Sequence, residues 1–392
     1  MSVSIWQDLT AFSKKSPIEC DVIIIGAGLA GMSTAYWLQK EDPTLKIAIL
    51  EKGIQGNGAS GRNAGFITCG SVEHFNRLCL NHGNEAALSM WRYSETNLNL
   101  LKEHIINPAQ TQLYFEQKGS FSLASTDIEF NELKKSHMLM QDLSINSEVV
   151  EHNQLTKRLN VEGFVGGIKY LDDASIHPLL LLKEINKNLN SNITLYENHE
   201  VFAMESVADK KVVKTNQHYF QADIVIMATN GYSSQLNSYF SDKIAPTRGQ
   251  ILCTEALPHF MEGPCYANFV LDYFRQLPTG ELIIGGFRQL QKDVEIGYSD
   301  ETSDVIQKAL EEFISHHIPK AKSAKITHRW SGIMGFSSDG HPMVGSLPTD
   351  NQIFYIGGFT AHGLGLTFHT GKCLVDLIYG RKIPEFISGR RF

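Results

Sequence analysis

The chain has 392 residues and a formal net charge of −7. This length exceeds what one hydrophobic core usually supports, so we expect two domains. A hydrophobic fraction of 42% and a charged fraction of 20% are typical of a globular protein and give no sign of long disordered stretches. The acidic balance provides no electrostatic footprint for nucleic acid or for an anionic membrane surface.

The cysteines and the amino terminus indicate a cytoplasmic protein. The six cysteines are scattered, with no CxxC pair and no His/Cys cluster at metal-ligand spacing, which predicts reduced thiols and no metal site. The first residues, through Lys14, Lys15 and Pro17, lack the apolar core of a signal peptide. The apolar run Val22–Leu38 is shorter than the roughly 20 residues of a membrane helix, so no integral membrane segment is expected.

A βαβ unit opens the predicted fold. Asp21–Ile25 and Lys46–Leu50 are apolar runs without helical spacing, and both are predicted as strands. Leu29–Gln39 carries apolar residues at helical spacing and is predicted as the helix between them. The two strands should pair in parallel and be buried on both faces.

The next part of the chain predicts a second domain. Helices are expected at Asn84–Ile106 and Asp127–Leu143, and strands at Gly119–Ala124 and Ser147–Glu151. Nothing here resembles a nucleotide-binding motif, so we assign this part to a substrate domain.

The chain then returns to the first domain. Proline is well placed in a first helical turn, which predicts a helix over Pro178–Leu189. Strands are predicted at Ile193–Tyr196, Glu200–Glu205 and Ala222–Ala228.

The last third of the chain contributes to both domains. Turn signals within Ala245–Arg288 predict hairpins of an antiparallel sheet, and a helix is predicted over Ser303–His317. Ile353–Gly358 is predicted as a buried strand and Gly365–Tyr379 as a closing helix.

The predicted fold class is α/β plus α+β. A Rossmann-type nucleotide-binding domain is interleaved with a substrate domain that is built on an antiparallel sheet with helices. We assign the nucleotide-binding domain to residues 1–80, 150–235 and 326–392, and the substrate domain to residues 81–149 and 236–325.

A GxGxxG motif lies between the first predicted strand and its helix. Gly26, Gly28 and Gly31 allow a tight turn and the close approach of a pyrophosphate to the helix N-terminus. Glu51 stands 20 residues after Gly31, at the end of the second strand, where a carboxylate hydrogen-bonds ribose hydroxyls. Such an acid repels a 2′-phosphate, so NADP is disfavoured, while NAD and FAD both stay open.

Two further glycine-rich segments favour an anionic cofactor. Gly56–Gly65 supplies backbone donors and the Arg62 guanidinium directly after the second strand. Gly357–Leu366 connects a strand to a helix whose N-terminus stabilises negative charge. The alternatives are a flexible surface loop for the first segment and a plain strand-to-helix connection for the second.

Taken together, the motifs GAGLAG, EKG, GASGRNAG, ATNGY and GGFTAHGLGLT resemble those of the D-amino-acid oxidase-like FAD-dependent oxidoreductases, a family that includes glycine and sarcosine oxidases. The resemblance spans nearly the whole chain and is nearest to the γ-glutamylputrescine oxidase-like branch. That branch is indicated by GASGRNAG, PTRGQ, YFRQLPTGELIIGG and RWSGIMG, at residues 58–65, 246–250, 273–286 and 329–335.

The resemblance implies that the nucleotide-binding domain holds FAD in an extended conformation. The residues assigned to FAD are Gly26, Gly28, Leu29, Ala30, Gly31, Glu51, Lys52, Ser60, Arg62, Asn63, Ala64, Gly65, Val201, Thr229, Gly332, Gly358, His362, Gly363, Leu364, Gly365, Leu366 and Thr367. Covalent attachment in this family uses a histidine or a cysteine. Residues 59–62 and 330–334 contain neither, so non-covalent FAD is predicted.

The implied reaction is the oxidation of a C–N bond of an amine or amino acid by hydride transfer to the flavin, which gives an imine that water hydrolyses. The candidate catalytic residues are His362, Arg288, Arg329, Trp330 and Tyr273. Either arginine could clamp a substrate carboxylate, with a structural or cofactor ion pair as the alternative.

Some oxidases of this family place a lysine near the flavin to assist the reaction with oxygen. Residues Glu281–Phe287 contain no lysine, so oxygen, a quinone and a protein all stay open as electron acceptor.

Two other functions remain possible interpretations of the same motifs. One is a flavoprotein that acts on a protein- or peptide-bound amine, as a maturation factor would, and the other is a non-catalytic flavin-binding assembly protein. A nicotinamide dehydrogenase is disfavoured because Gly357–Leu366 has the flavin-loop pattern of the family that the motifs resemble.

Overall fold

The structure is a computed structural model that describes residue 5 and residues 16–268 and 272–392. Lys14 and Lys15, which entered the prediction for the amino terminus, lie outside the described residues, as do residues 269–271 of the predicted hairpin region. The chain forms two compact units. The first comprises the described residues up to Gly61 with Leu179–Thr247 and Met334–Phe392, and the second comprises Arg62–Pro178 and Arg248–Ile333.

The first unit contains a six-stranded sheet. In spatial order its strands are Met343–Leu347, Asp350–Gly357, Ile224–Met227, Val22–Ile25, Ile47–Leu50 and Ile193–Tyr196. The first pair is antiparallel and the other four pairings are parallel. Every residue of the adjacent interior strands Val22–Ile25 and Ile47–Leu50 is buried, which explains why both consist only of apolar residues.

Two helices of the first unit pack against each other. The nucleotide helix (Leu29–Glu41) and the closing helix (Gly363–Ile378) are joined by a 2.9 Å hydrogen bond from Trp37 Nε1 to the carbonyl of Phe368. The helices approach closely because Gly371 has no side chain: a Cβ there would lie 3.0 Å from the Ser33 Cβ. The shorter helices here are Ala59–Arg62, which ends in the second unit, and Ser233–Leu236.

A four-stranded sheet completes the first unit. Its strands, in spatial order, are Ile18–Glu19, Tyr219–Ala222, Lys210–Thr215 and Val201–Val207. Val201, Val213 and Phe220 from this sheet share one apolar core with Ile23 and Ala48 of the larger sheet.

The second unit is built on an eight-stranded, mostly antiparallel sheet. In spatial order its strands are Ile326–Ser337, Ile244–Ala256, Glu281–Gly285, Asp272–Gln276, Cys265–Ala267, Ser120–Ala124, Gly166–Tyr170 and Ser147–Glu151. Cys265–Ala267 and Ser120–Ala124 pair in parallel. A two-stranded ribbon joins Phe66–Ile67 to Ala174–Ser175.

The helices of the second unit are Val72–His82, Asn84–Leu101, Asp127–Asp142, His152–Leu159 and Asp304–His317. The helix Pro178–Lys187 has its first residue in this unit and its other residues in the first unit. One face of the eight-stranded sheet packs on the main core of this unit, where Leu252, Phe274 and Ile284 meet Leu310 and Phe313. The opposite face carries a much smaller apolar cluster, which is described below.

The fold is therefore α/β combined with α+β, as predicted. The strands Ser147–Glu151 and Ile193–Tyr196 have the predicted limits. The prediction of one helix over Asn84–Ile106 was wrong at its end: the α-helix stops at Leu101 and continues as a π-helical turn over Lys102–Ile106.

Several elements were missed. They include the helices Val72–His82 and His152–Leu159 and the strands Gly166–Tyr170, Lys210–Thr215, Ile326–Ser337 and Met343–Leu347. The compact units are interleaved in the sequence. Residues 62–80, 150–178 and 326–333, which were assigned to the nucleotide-binding domain, lie in the second unit, and residues 236–247, which were assigned to the substrate domain, lie in the first.

Among the helices of the described residues, none is both long and apolar enough to cross a membrane. The same residues contain no group of three or more His, Cys, Asp or Glu side chains that could hold a metal ion.

Candidate functional site

The glycine turn (Gly26–Gly31) leaves no room for side chains at its two ends. Gly26 has a φ of +107°, and a Cβ there would lie 2.9 Å from the carbonyl oxygen of Ala228. A Cβ at Gly31 would lie 1.9 Å from the carbonyl oxygen of Gly26. The backbone must therefore fold tightly against itself, and this brings the first N–H groups of the nucleotide helix to the surface of the turn.

Ser60 and Glu51 are brought to this turn from the following segment. The Ser60 hydroxyl accepts a 2.8 Å hydrogen bond from the Leu29 N–H at the start of the nucleotide helix. The Glu51 carboxylate accepts hydrogen bonds from the N–H groups of Ala27 and Gly53, both at 3.0 Å. The predicted phosphate, ribose and loop residues of this unit thus form one cluster.

Three other residues of the first unit that are predicted to bind the cofactor make separate contacts. The Lys52 ammonium lies 3.7 Å from the centre of the Tyr232 ring, a cation–π contact. Val201 is buried in the apolar core of the first unit. Thr229 shares a 2.9 Å hydrogen bond with the Ser233 hydroxyl.

Asn230 was missed by the sequence analysis, although it connects two of the motifs. Its side-chain oxygen accepts a 2.9 Å hydrogen bond from the Gly358 N–H. A Cβ at Gly335 would lie 2.3 Å from that same oxygen, so glycine is needed there. The available signal was an asparagine three residues after a buried strand, since asparagine tolerates the positive φ of 47° that this residue adopts.

The closing helix begins without a side-chain cap. Its N-cap residue is His362, which is half-buried, and no side chain there accepts a hydrogen bond from the helix backbone. Thr360 and Ala361 adopt positive φ values of 47° and 67° just before it. The predicted residues Gly363, Leu364, Gly365, Leu366 and Thr367 form the first turns of this helix, where the helix dipole favours negative charge.

In the second unit, the small apolar cluster defines an aromatic face of the eight-stranded sheet. Its buried members are Ala64, Ile251, Cys253 and Ile283, and its partly buried members include Phe66, Tyr273 and Trp330. The Phe66 ring contacts the rings of Tyr266 and Tyr273 edge-on, with centroids 5.4 Å and 5.9 Å apart.

Strand pairing explains how the aromatic face is assembled. Tyr266 is paired with Tyr273, Tyr273 with Gly285, and Gly285 with Ile251, so all four side-chain positions share one face. Gly285 makes room for the ring of Tyr273, because a Cβ there would lie 2.5 Å from the Tyr273 Cζ. Burial raises the pKa of the Tyr273 hydroxyl, so this group stays protonated at neutral pH.

The segment Arg62–Gly65 lies against the aromatic face. Trp330 donates a 2.9 Å hydrogen bond from Nε1 to the carbonyl of Arg62, and the Arg62 guanidinium donates one of 2.9 Å to the carbonyl of Ser331. A Cβ at Gly332 would lie 3.0 Å from the Arg62 Cβ. Within the segment, the Asn63 side chain accepts a 2.8 Å hydrogen bond from the Gly65 N–H.

The two arginines that were proposed for a substrate carboxylate have different surroundings. Arg329 donates to Gln307 at 2.9 Å and to Glu311 at 2.7 Å, and both partners lie on the helix Asp304–His317. Its guanidinium is therefore committed to a surface ion pair. Arg288 is half-buried beside Tyr273, and burial lowers the pKa of its guanidinium.

A third arginine, Arg275, was missed by the sequence analysis although it lies on the aromatic face. It is two residues from Tyr273 on the same strand, so the two side chains point to the same side. The guanidinium is only 3% exposed. No local sequence signal marks it, because arginine in a strand usually extends to solvent.

A buried ion pair fixes the loop that follows Arg288. The Arg248 guanidinium makes two hydrogen bonds to Glu295, at 2.9 Å and 2.6 Å, and Gln250 adds a third at 3.0 Å. Further along the loop, Asp300 lies 3.6 Å from Arg62 and accepts a hydrogen bond from Ser331 through its carbonyl. The pair thereby holds this loop against the residues next to the aromatic face.

A nucleotide-binding turn, a helix end that favours negative charge and an aromatic sheet face define a protein of the flavin-dependent oxidoreductase class. A family model described as "DAO: FAD dependent oxidoreductase" matches residues 21–377. The chain belongs to this family and is an FAD-dependent oxidoreductase. FAD is its cofactor.

Curated relatives align over almost the whole chain. Gamma-glutamylputrescine oxidoreductase of Escherichia coli is 23% identical and covers 93% of this chain and 84% of its own length. Glycine oxidase of Geobacillus kaustophilus is 23% identical, with 91% and 92% covered. The crystal structure of the Geobacillus glycine oxidase superposes with a TM-score of 0.79 at 22% identity, covering 93% of this chain and 96% of that one.

Proposed function

We propose that this protein oxidises a C–N bond of a small amine or amino acid, giving an imine that water hydrolyses. The observation that carries the proposal is the aromatic face, a largely apolar surface next to the Arg62–Gly65 segment. The relatives named above act, by their names, on γ-glutamylputrescine and glycine. Both substrates contain a carbon bonded to an amine nitrogen.

The residues of the chain fit FAD at two places in the first unit. The absence of side chains at Gly26, Gly28 and Gly31 leaves a cradle for a pyrophosphate at the start of the nucleotide helix. Glu51, which already accepts two backbone hydrogen bonds there, is proposed for the ribose. The start of the closing helix, from His362 to Thr367, is proposed for the isoalloxazine end because it favours negative charge.

Bound FAD supplies the hydride acceptor. The task of the chain's own residues is to hold the substrate and to keep its nitrogen neutral. An apolar surface keeps the substrate nitrogen neutral, because desolvation disfavours an ammonium ion. Tyr273 and Trp330 are proposed as walls of the substrate site, and Arg288, whose charge acts on Tyr273, is proposed for a substrate carboxylate.

The contacts of one remaining candidate, Arg329, narrow its assignment. Arg329 is proposed as a structural residue only, because Nη1 and Nη2 of its guanidinium already donate to Gln307 and Glu311. Val201 stays proposed for the adenine of FAD, and Lys52 and Thr229 stay proposed for FAD without a more specific role. We also propose a cytoplasmic location and leave oxygen, a quinone or a protein as the acceptor.

An anaerobic titration tests the proposal. The visible spectrum of the purified holoenzyme is recorded while single compounds from a panel are added: glycine, sarcosine, putrescine and γ-glutamylputrescine. We expect one class to bleach the flavin, and readmission of air then reports whether oxygen is the acceptor. If no member bleaches a correctly bound flavin, the small-amine proposal fails, and a protein-bound amine or a non-catalytic role takes its place.

A further inference from the structure

The second unit contains a small cavity with a buried arginine in its wall, which we call the arginine cavity. Its wall includes Glu116, Lys118, Glu262, Gly263, Arg275 and Gln276, all of which belong to the second unit. Arg275 is 3% exposed, whereas Lys118 and His259, which also border the cavity, are exposed. The cavity therefore leads from the surface of this unit to a buried guanidinium.

The wall of the arginine cavity is held in place by contacts of the chain itself. The side-chain oxygen of Gln276 accepts hydrogen bonds from the N–H groups of Phe260 and Met261, at 2.9 Å and 3.3 Å. Gly263 lies so close to the next segment that a Cβ there would be 2.9 Å from the carbonyl oxygen of Gly119. These contacts make the cavity a preformed feature of the fold.

The charge of Arg275 has no counter-charge in contact with it. Its guanidinium donates one hydrogen bond, from Nη2 to the carbonyl of Ile176 at 3.1 Å. Within the described part of the chain, Nε and Nη1 make none. Unpaired buried charges are strongly unfavourable. The charge is delocalised over all three nitrogens, so it acts on the cavity although two of them are enclosed.

The two acids in the wall are already bound to other cations. The Glu116 carboxylate lies 2.5 Å from the Lys118 ammonium. Glu262 accepts hydrogen bonds from Arg158, at 2.5 Å and 2.8 Å, and from Lys169 at 2.6 Å. The hydrogen bonds from Arg158 are the main reason why the pKa of Glu262 falls to about 2. Both cations therefore stabilise an ionised Glu262, and neither acid serves Arg275.

One positive charge is left over in this part of the second unit. Burial lowers the pKa of Arg275 to about 10, and Glu116 opposes this shift, so the guanidinium is protonated at neutral pH. Arg158 is also paired with Glu148, at 2.7 Å. Among these described residues, four cations therefore face three acids, and Arg275 is the cation without an acid in contact.

We propose that the arginine cavity binds one monovalent anion of about the size of chloride, which compensates the buried charge of Arg275. The cavity has a volume of about 10 Å³, comparable with the space that one water molecule needs, so it favours a monatomic ion over a larger anion. The competing occupant is a single water molecule, which would leave the charge uncompensated. This inference needs no contact with FAD and does not depend on the proposed function.

Thermal unfolding of the holoenzyme tests the proposal. The unfolding temperature is measured at constant ionic strength while chloride replaces gluconate, an anion too large for the cavity. We would compare the wild type with the variants Arg275→Met, Glu116→Gln and Arg381→Met. Arg381 is the matched control, an arginine of the first unit that is paired with Glu41 at the surface.

We expect chloride to raise the unfolding temperature of the wild type along a saturating curve, by about 2 °C or more, because a ligand that binds only the folded state stabilises it. Arg275→Met should lose this response. Glu116→Gln should lower the half-saturating chloride concentration about threefold or more, since it removes a negative charge next to the site. Arg381→Met should respond as the wild type does.

Two results would overturn the proposal. If Arg275→Met and the wild type respond equally to chloride, the effect is a general one of salt, and a water molecule is the better occupant. If Arg275→Met cannot be purified, Glu116→Gln decides, and an unchanged half-saturating concentration in that variant counts against the site.

Bromide locates the site directly, because its anomalous scattering distinguishes it from water. A bromide-soaked crystal of the wild-type holoenzyme should show an anomalous peak in the cavity beside Arg275. Bromide peaks at the protein surface alone would contradict the proposal. None of these measurements needs a substrate, so a failure to oxidise any amine would remove the proposed function and leave this inference standing.

Discussion

The glycine turn of the first unit and the aromatic face of the second unit are constrained in different ways. In the turn, backbone atoms lie where side chains would be, and the critical contacts join residues only a few positions apart, such as Gly26 and Gly31. In the aromatic face, side chains from separate strands meet across the sheet, as Tyr273 does with Phe66. A backbone contact cannot move aside, whereas an aromatic ring can turn, so the turn should tolerate substitution far less than the face.

The largest effect is expected from Gly31→Ala. The new methyl group would meet the Gly26 carbonyl oxygen at 1.9 Å, and neither atom belongs to a flexible side chain. We expect a loss of stability of about 3 kcal/mol or more and a protein purified without FAD. The measurement is the ratio of flavin to protein absorbance, with thermal unfolding alongside.

Gly58→Ala is the matched control for this prediction. A Cβ at Gly58 meets no described atom within 4 Å, so the flavin content should match the wild type. A Gly31→Ala protein that binds FAD at a one-to-one ratio would contradict the expectation that the glycine turn tolerates substitution less than the aromatic face does.

The next effect concerns the buried ion pair beside the aromatic face. Arg248 and Glu295 have side chains that are 8% and 0% exposed. Replacing Glu295 with Gln leaves the guanidinium buried without its counter-charge, which should cost about 3–5 kcal/mol. Urea unfolding of the variant and the wild type measures the difference, and a change below about 1 kcal/mol would contradict the expectation.

A smaller effect is expected from Gly285→Ala, which tests the aromatic face directly. The added methyl group would overlap the Tyr273 ring, with 2.5 Å between Cβ and Cζ. Because the ring is a half-buried side chain, it can shift, and we expect a loss of about 1–3 kcal/mol with FAD still bound. Under the proposed function, turnover of the substrate found in the titration should fall while flavin content stays constant. Unchanged turnover would remove Tyr273 from the substrate site.

The smallest effect is expected from Arg329→Gln. The ion pair of Arg329 with Glu311 is open to solvent, with side chains that are 35% and 48% exposed. Exposed pairs contribute about 0–1 kcal/mol, so stability, flavin content and turnover should all stay close to the wild type. A large rise in KM for a carboxylate-bearing substrate would instead return Arg329 to the substrate site.

The two regions also differed in how well the sequence predicted them. The strand–turn–helix of the first unit was predicted closely, because the spacing of Gly26, Gly28 and Gly31 and the flanking apolar runs are all local signals. The long strand Ile326–Ser337 was not predicted as a strand. Its burial alternates only in part, since three exposed residues precede a run of buried ones, so it lacks a clean period of two.

By itself, the sequence determined the class of cofactor and the segments proposed to hold it, because backbone turns depend on which residues lack a Cβ and on their spacing. Only the tertiary structure decided which arginine is paired and which is not. Arg329 found partners on a helix that begins 25 residues earlier, while Arg275 was buried under Gly65 with two nitrogens unsatisfied. Side-chain partners are set by proximity in space, and no local pattern of residues records that proximity.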